Sequence, residues 1–163
     1  MKRLISHCYK SLIRIFAKPA SPTRHVRITN LTRNTSLGDS VEVASQGKQR
    51  RRGLLGRQAL ASGTGLWLVP CEAVHTFGMQ FPIDLLYLDR TQRITKTCSN
   101  VGPWGLSICW SAHSVLELAA GTITESRTRA GDQLFLEVSK KNTPEPAQNR
   151  RMYPKRSLHI TRL

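Results

Sequence analysis

The chain has 163 residues, of which 39% are hydrophobic and 21% are charged, and these values are typical of one globular domain. Its formal net charge is +15, but residues 1–25 and 140–163 together carry 12 of these charges. The segment between them is nearly balanced, which argues against a folded nucleic-acid-binding domain, because such a domain concentrates positive charge on one face.

Residues 1–25 form a basic N-terminal segment in which apolar residues recur at helical spacing. The pattern predicts an amphipathic helix, and three interpretations follow: residues 1–20 bind an anionic membrane surface, pack on the domain, or precede the true start codon. Lys10 and Arg14 interrupt the apolar run that a signal peptide requires, and no stretch reaches the roughly 18 apolar residues of a transmembrane span. We therefore predict a cytoplasmic protein or one that is peripheral at the inner membrane face.

The four cysteines are Cys8, Cys71, Cys98 and Cys109, and their spacing contains no CxxC pair of the kind found in zinc sites. An even number would permit two disulfides in an oxidising compartment. A domain of this length does not need disulfides for stability, so we predict reduced, buried thiols.

Residues 26–139 are predicted to form a mainly β (α+β) domain, a compact sandwich or barrel of about seven strands. Alternating or short apolar runs between turn residues predict strands at 26–32, 37–44, 65–69, 83–88, 94–98, 114–118 and 133–138. A short helix is predicted near residues 46–58, where Gly53 and Gly56 permit close packing or an early end. Residues 140–163 are predicted to be a disordered basic tail.

Several fragments of the β-rich region together resemble a known family. They are Arg52-Gly53-Leu54-Leu55-Gly56-Arg57, Gly65-Leu66-Trp67-Leu68, His75-Thr76-Phe77-Gly78-Met79, Pro82-Ile83-Asp84, Leu88-Asp89, Val115-Leu116-Glu117-Leu118-Ala119-Ala120-Gly121 and Gly131-Asp132. In this order and spacing they resemble the domain of unknown function 192 (DUF 192), an uncharacterised bacterial and archaeal family, over roughly residues 26–138. The resemblance implies a compact, largely β domain, sometimes exported or membrane-tethered, with no established reaction or catalytic residue. The family often has Pro where this chain has Ala119-Ala120, a departure that would soften the turn.

Residues 71–84 contain the strongest polar signal, because Cys71, Glu72, His75 and Met79 follow a predicted strand and Asp84 follows a proline. We interpret this region as the polar pocket of a monomeric, non-catalytic binding or accessory domain. The predicted binding residues are Arg52, Arg57, His75, Met79, Asp84, Trp104 and Glu117. Arg57 is expected to form a structural clamp with Asp84 or Glu117, because charged residues beside apolar sequence often pair.

The alternative is a small enzyme that uses the same region. In a cysteine-dependent enzyme, Cys71 would be the nucleophile, His75 the base and Asp84 the group that orients the base. In a metal-dependent enzyme, His75 and His113 would be ligands together with Glu117 or Asp84, or Cys71 and His75 would be ligands together with a carboxylate. The competing structural interpretation is that Cys71 and Met79 fill the core. No cofactor is predicted beyond this candidate metal.

The tryptophans provide a second alternative, since exposed aromatic rings can stack on nucleobases. Trp104 is expected to be exposed in a Gly-Pro-Trp-Gly loop, whereas Trp67 is expected to lie in the core. Single-stranded nucleic acid would then bind Trp104 and the basic tails. Asp89 and Asp132 are expected to stabilise turns by hydrogen bonds from the side chain to the backbone.

Overall fold

A computed structural model describes residues 24–138 and shows a mainly β fold with two short helices. The strands in this part of the chain are β1 (His25–Asn30), β2 (Thr35–Ala44), β3 (Thr64–Leu68), β4 (Ala73–His75), β5 (Ile83–Leu88), β6 (Ile94–Val101), β7 (Leu106–Ile108), β8 (Ser114–Ala119) and β9 (Leu134–Val138). The helices are α1 (Gly47–Arg52) and α2 (Thr122–Ser126). None of the helices in the described range is long and apolar enough to cross a membrane.

Seven strands form one sheet in the order β6-β5-β8-β3-β2-β1-β9, and β4 pairs with β7 in a separate two-stranded sheet. The strand pairs are antiparallel except β2–β3, whose parallel pairing requires a crossover connection. That connection contains α1. The large sheet curls into a half-barrel, because the tip of the β5–β6 hairpin meets the start of β9: the Ile94 and Leu134 amides donate to the carbonyls of Asp132 and Gln92 at 3.0 and 3.1 Å.

The curled sheet has a hydrophobic core on each face, because successive side chains of a strand point to opposite faces. One core contains Leu86, Leu116 and Leu118 with residues of β1, β2 and β9. The other contains Leu85 and Val115, and it is covered by residues from the segments around α1 and β4. Both faces of β5 and β8 are therefore buried. This explains why the sequences of these two strands are nearly continuous apolar runs.

The mainly β, barrel-like prediction is confirmed, and a strand lies at each of the seven predicted positions. The helix predicted near residues 46–58 is shorter in the structure. Helix α1 ends at Arg52, where Gly53 follows as the C-cap with a φ of 51°. Strands β4 and β7 were not predicted, since three residues are too few to show alternation. Helix α2 was also missed. The predictions for residues 1–23 and 139–163 lie outside the described residues.

The predicted roles of two turn carboxylates are confirmed. Asp89 accepts hydrogen bonds from the amides of Thr91 and Arg93 at 2.8 and 2.9 Å. Asp132 accepts from the amide of Arg129 at 3.0 Å and also binds the buried side chain of Asn30 at 3.0 Å. These bonds stabilise the two turns at one end of the half-barrel.

Candidate functional site

Glu117 is a buried carboxyl group at the centre of the large sheet. It lies on β8, opposite Leu66 of β3 and Leu85 of β5, and its residue surface is only 4% exposed. Its Oε2 atom has no hydrogen-bond partner within residues 24–138. Burial raises the pKa of Glu117 to about 7, and the positive charge of Arg57 opposes this shift. The carboxyl group is therefore partly protonated near neutral pH.

Glu117 lies in a small inner cavity of about 70 Å³ on the face of the sheet that α1 and β4 cover. The other residues that line this cavity are Arg50, Arg51, Arg52, Gly53, Leu54, Leu55, Leu68, Cys71, Ala73, Val74, His75 and Met79. Gly53 has a φ of 51°, which favours glycine, and a Cβ atom there would be in ordinary van der Waals contact with Oε2 of Glu117 at 4.0 Å. The cavity thus combines one buried carboxyl group with three consecutive arginines.

An outer recess of about 380 Å³ adjoins the inner cavity. Arg52, Gly53 and Leu55 line both, so the turn after α1 forms a shared wall. At the recess, Arg57 donates to Glu42 with 2.8 Å between Nη2 and Oε1. This ion pair fixes the end of the turn across β2.

The arginines of α1 differ in how they are held. Arg50 donates to the carbonyls of Ser45 and Val69, the latter at 3.2 Å, and these bonds tie α1 to the end of β3. Arg51 and Arg52 are exposed, and α1 has no acidic residue in its first turn. Both of these exposed arginines line the cavity and place positive charge beside it.

Cys71 and His75 line the same cavity, but their contacts do not assemble a nucleophile and a base. Burial raises the pKa of the Cys71 thiol, and the thiol donates to the carbonyl of Ala73 at 3.2 Å. His75 is exposed and stacks on Phe77, with 5.2 Å between ring centroids. A raised pKa disfavours the thiolate that a nucleophilic cysteine requires. Met79 is buried in the core on this face, as the structural interpretation predicted.

Asp84 lies away from this cavity. Its two carboxylate oxygens accept the backbone amides of Asn100 and Ile123, each at 2.7 Å. Asp84 is paired with Leu118, next to Glu117 on β8, so the two acidic side chains point to opposite faces of the sheet. The predicted clamp between Arg57 and Asp84 is therefore wrong. Arg57 instead bonds to Glu42, and its charge acts on Glu117.

The candidate metal ligands are not brought together. The backbone of His113 bonds to Cys71 and Leu88, at 3.0 and 2.7 Å. Among the described residues, no group of three or more His, Cys, Asp or Glu side chains could hold a metal ion. His75, His113 and Glu117 thus do not form the predicted set.

The tryptophans occupy the predicted environments. Trp104 is among the most exposed large residues of the described domain, and its ring centroid lies 6.1 Å from that of Phe77. Trp67 is half-buried against the core that contains Leu116. The sequence interpretation selected Arg52 and Glu117 but missed Arg50, Arg51 and Gly53. Three consecutive arginines before a glycine were the available signal.

Comparisons with known proteins agree with this fold. The model of the DUF192 family, described as "Uncharacterized ACR", matches residues 28–136. No curated protein matches the chain.

Two solved structures are similar. One, from Sinorhizobium meliloti 1021, is described as a "putative transcription regulator"; it has 24% identity and a TM-score of 0.63, over 74% of this chain and 98% of that one. The other, a protein of unknown function from Novosphingobium aromaticivorans, has 18% identity and a TM-score of 0.61, over 72% and 89%. At these identities the likeness shows the fold alone.

Proposed function

Because the chain belongs to the DUF192 family, whose function is unknown, we propose a function from the cavity itself: the domain is a non-catalytic binding module for a small zwitterion. The ligand's ammonium group would bind Glu117, and its acidic group would bind the arginines of α1. The observation that carries this proposal is the unpaired Oε2 of Glu117 among residues 24–138, inside a cavity lined by arginines.

A buried carboxyl group without a hydrogen-bond partner is costly, and folded proteins rarely retain one without a role. A ligand with an ammonium group would supply both the missing donor and the opposite charge. Charge-assisted hydrogen bonds of this kind are about twice as strong as those between neutral groups. Glu117 is thus suited to a cationic donor.

The arginines supply the other half of the recognition. Arg52 lines both the inner cavity and the outer recess, so it can reach an acidic group that lies at the shared wall. Guanidinium groups bind carboxylate and phosphate in a bidentate manner. The cavity volume of about 70 Å³ suits an amino group and its short stem, and the acidic group would lie at the turn after α1, which also borders the recess of about 380 Å³.

The experiment is a titration of the full-length, nitrogen-15-labelled chain with O-phosphoethanolamine and with glycine, followed by amide NMR. We expect saturable shifts of the Gly53 and Leu55 amides. Binding should be weaker by roughly tenfold or more in Glu117→Gln, because a charged hydrogen bond is lost. It should be tighter at about pH 8 than at about pH 6, because the carboxylate is ionised above its pKa of about 7.

Glu137→Gln is the matched control, since Glu137 is an exposed glutamate on β9. This variant should bind both zwitterions as the wild type does. Inorganic phosphate and ethanolamine, each alone, should bind more weakly than O-phosphoethanolamine. Equal affinities of the wild type and Glu117→Gln, or no saturable shift with either zwitterion, would contradict the proposal.

A further inference from the structure

The two-stranded sheet presents a second surface, which we call the aromatic patch: Phe77, Trp104 and Leu106. These three residues are 46% to 74% exposed. Leu106 pairs with His75 across the sheet, His75 stacks on Phe77, and Phe77 lies against Trp104. A group of exposed apolar side chains that lie together in this way marks an interaction site.

The buried side chain of Thr76 holds the loop that presents Trp104. Its Oγ1 atom donates to the carbonyl of Gly102 and accepts from the amide of Gly105, each at 2.7 Å. The Trp104 amide donates to the Thr76 carbonyl at 3.1 Å, and Trp104 has a φ of 65°. These bonds hold the backbone of this non-glycine residue in the left-handed region, and its side chain is 74% exposed.

Positive charge borders the aromatic patch. The arginines of α1 line the inner cavity together with Ala73, Val74 and His75 of β4, so exposed Arg51 and Arg52 lie near the two-stranded sheet. Tryptophan, phenylalanine and leucine next to arginine are the combination found on surfaces that bind at the headgroup level of anionic membranes.

We propose that the aromatic patch docks on an anionic lipid surface, with its apolar side chains inserted at the headgroup level and the arginines of α1 against the lipid phosphates. Membrane contact is one of the three interpretations of residues 1–20, and the patch would add a contact from within the folded domain. This inference uses a different surface from the proposed ligand cavity and does not depend on it.

The ring spacing favours lipid over single-stranded nucleic acid. A base inserted between two rings needs about 7 Å between them, twice the ~3.5 Å van der Waals spacing. The centroids of His75, Phe77 and Trp104 are 5.2 and 6.1 Å apart in turn, so the rings already contact one another. A base therefore cannot enter between these rings as they stand, whereas lipid insertion requires only the exposed edge of the cluster.

The experiment measures binding of the full chain to vesicles of equal parts phosphatidylcholine and phosphatidylglycerol, some with brominated acyl chains that quench tryptophan fluorescence. The test variant is F77A/L106A. The matched control is F135A/L31A, which removes a phenylalanine and a leucine that are 50% and 56% exposed elsewhere on the domain. Circular dichroism checks that each variant is folded.

We expect the wild type and F135A/L31A to bind the vesicles and to be quenched. F77A/L106A should bind roughly tenfold more weakly and lose most of the quenching, because apolar insertion is removed while the charge is kept. Absence of vesicle binding, or equal binding and quenching of both double variants, would overturn the proposal. It would also be overturned if the F77A/L106A change reduced binding to an oligodeoxythymidylate and left vesicle binding unchanged.

Discussion

Asp84 and Glu117 are two buried carboxyl groups on neighbouring strands, and their surroundings differ completely. Both oxygens of Asp84 accept backbone amides, from Asn100 in β6 and from Ile123 in α2. Within the described domain, Oε2 of Glu117 accepts nothing and faces a cavity. The first carboxylate joins three segments of the fold. Oε2 of Glu117 makes no comparable bond and is instead a polar group that lines the cavity of the candidate site.

The comparison teaches that burial alone does not identify a functional acidic residue. Both side chains are nearly inaccessible, and only the hydrogen-bond partners separate them. A buried carboxylate with two amide donors is fully explained by structure, because its charge is compensated by the fold. A buried carboxylate with an unpaired oxygen can still accept a hydrogen bond, and the rest of the described chain does not supply one.

Asp84→Asn should give the largest effect. An asparagine offers one acceptor oxygen, so one of the two buried amides would face an NH₂ group. We expect the free energy of unfolding to fall by about 4 kcal/mol, measured by urea denaturation. Glu117→Gln under the same conditions should cause no such loss. Equal destabilisation by the two substitutions would contradict the distinction between the two carboxyl groups.

The stability of the wild type should depend on pH through Glu117. Its pKa is about 7 in the folded state against a usual 4.5, so folding favours the protonated form. This contribution is complete below about pH 4.5 and is lost as the pH rises through about 7, a change of about 3 kcal/mol.

Urea unfolding of the wild type and Glu117→Gln over this pH range measures that contribution. The difference between the two profiles isolates Glu117, because both proteins share the remaining titratable groups. We expect Glu117→Gln to lack the decline. Parallel profiles would show that burial does not perturb this carboxyl group.

Gly65 determines how closely β3 approaches the backbone of Glu117. A Cβ atom at Gly65 would lie 2.6 Å from the Glu117 carbonyl oxygen and 2.8 Å from Leu118 Cδ2. Gly65→Ala should therefore lower the free energy of unfolding by about 2 kcal/mol in thermal or urea unfolding. In Gly102→Ala, the control, the new methyl group meets no described atom within 4 Å, and a loss below about 0.5 kcal/mol is expected. Similar losses in the two variants would refute the close-contact explanation.

Arg57→Gln should have the smallest effect on stability. Its ion pair with Glu42 is partly exposed, so we expect a loss of less than about 1 kcal/mol. Because the charge of Arg57 lowers the pKa of Glu117, its removal should move the decline of the stability profile to higher pH. Arg27→Gln breaks the exposed pair with Asp39 and should leave that profile unchanged. A shift in the control alone would contradict this assignment.

The sequence was sufficient to predict the main strands, because β5 and β8 are apolar on both faces and the outer strands alternate. The sequence was insufficient to predict β4 and β7. Each of these strands has only three residues and is stabilised by pairing with the other. At the candidate site, Arg52 and Glu117 were selected from their types and positions. The role of Asp84 was misjudged, because the amides of Asn100 and Ile123 that occupy it lie 16 and 39 residues away.

The measurement that tests the central claim most directly is a carbon NMR titration of the Glu117 side-chain carboxyl group, with and without O-phosphoethanolamine. We predict a pKa of about 7 in the free protein and a lower pKa with the zwitterion bound, because an ammonium group stabilises the carboxylate. A pKa near 4.5 that does not respond to the zwitterion would show that Glu117 is neither perturbed by burial nor a ligand-binding group.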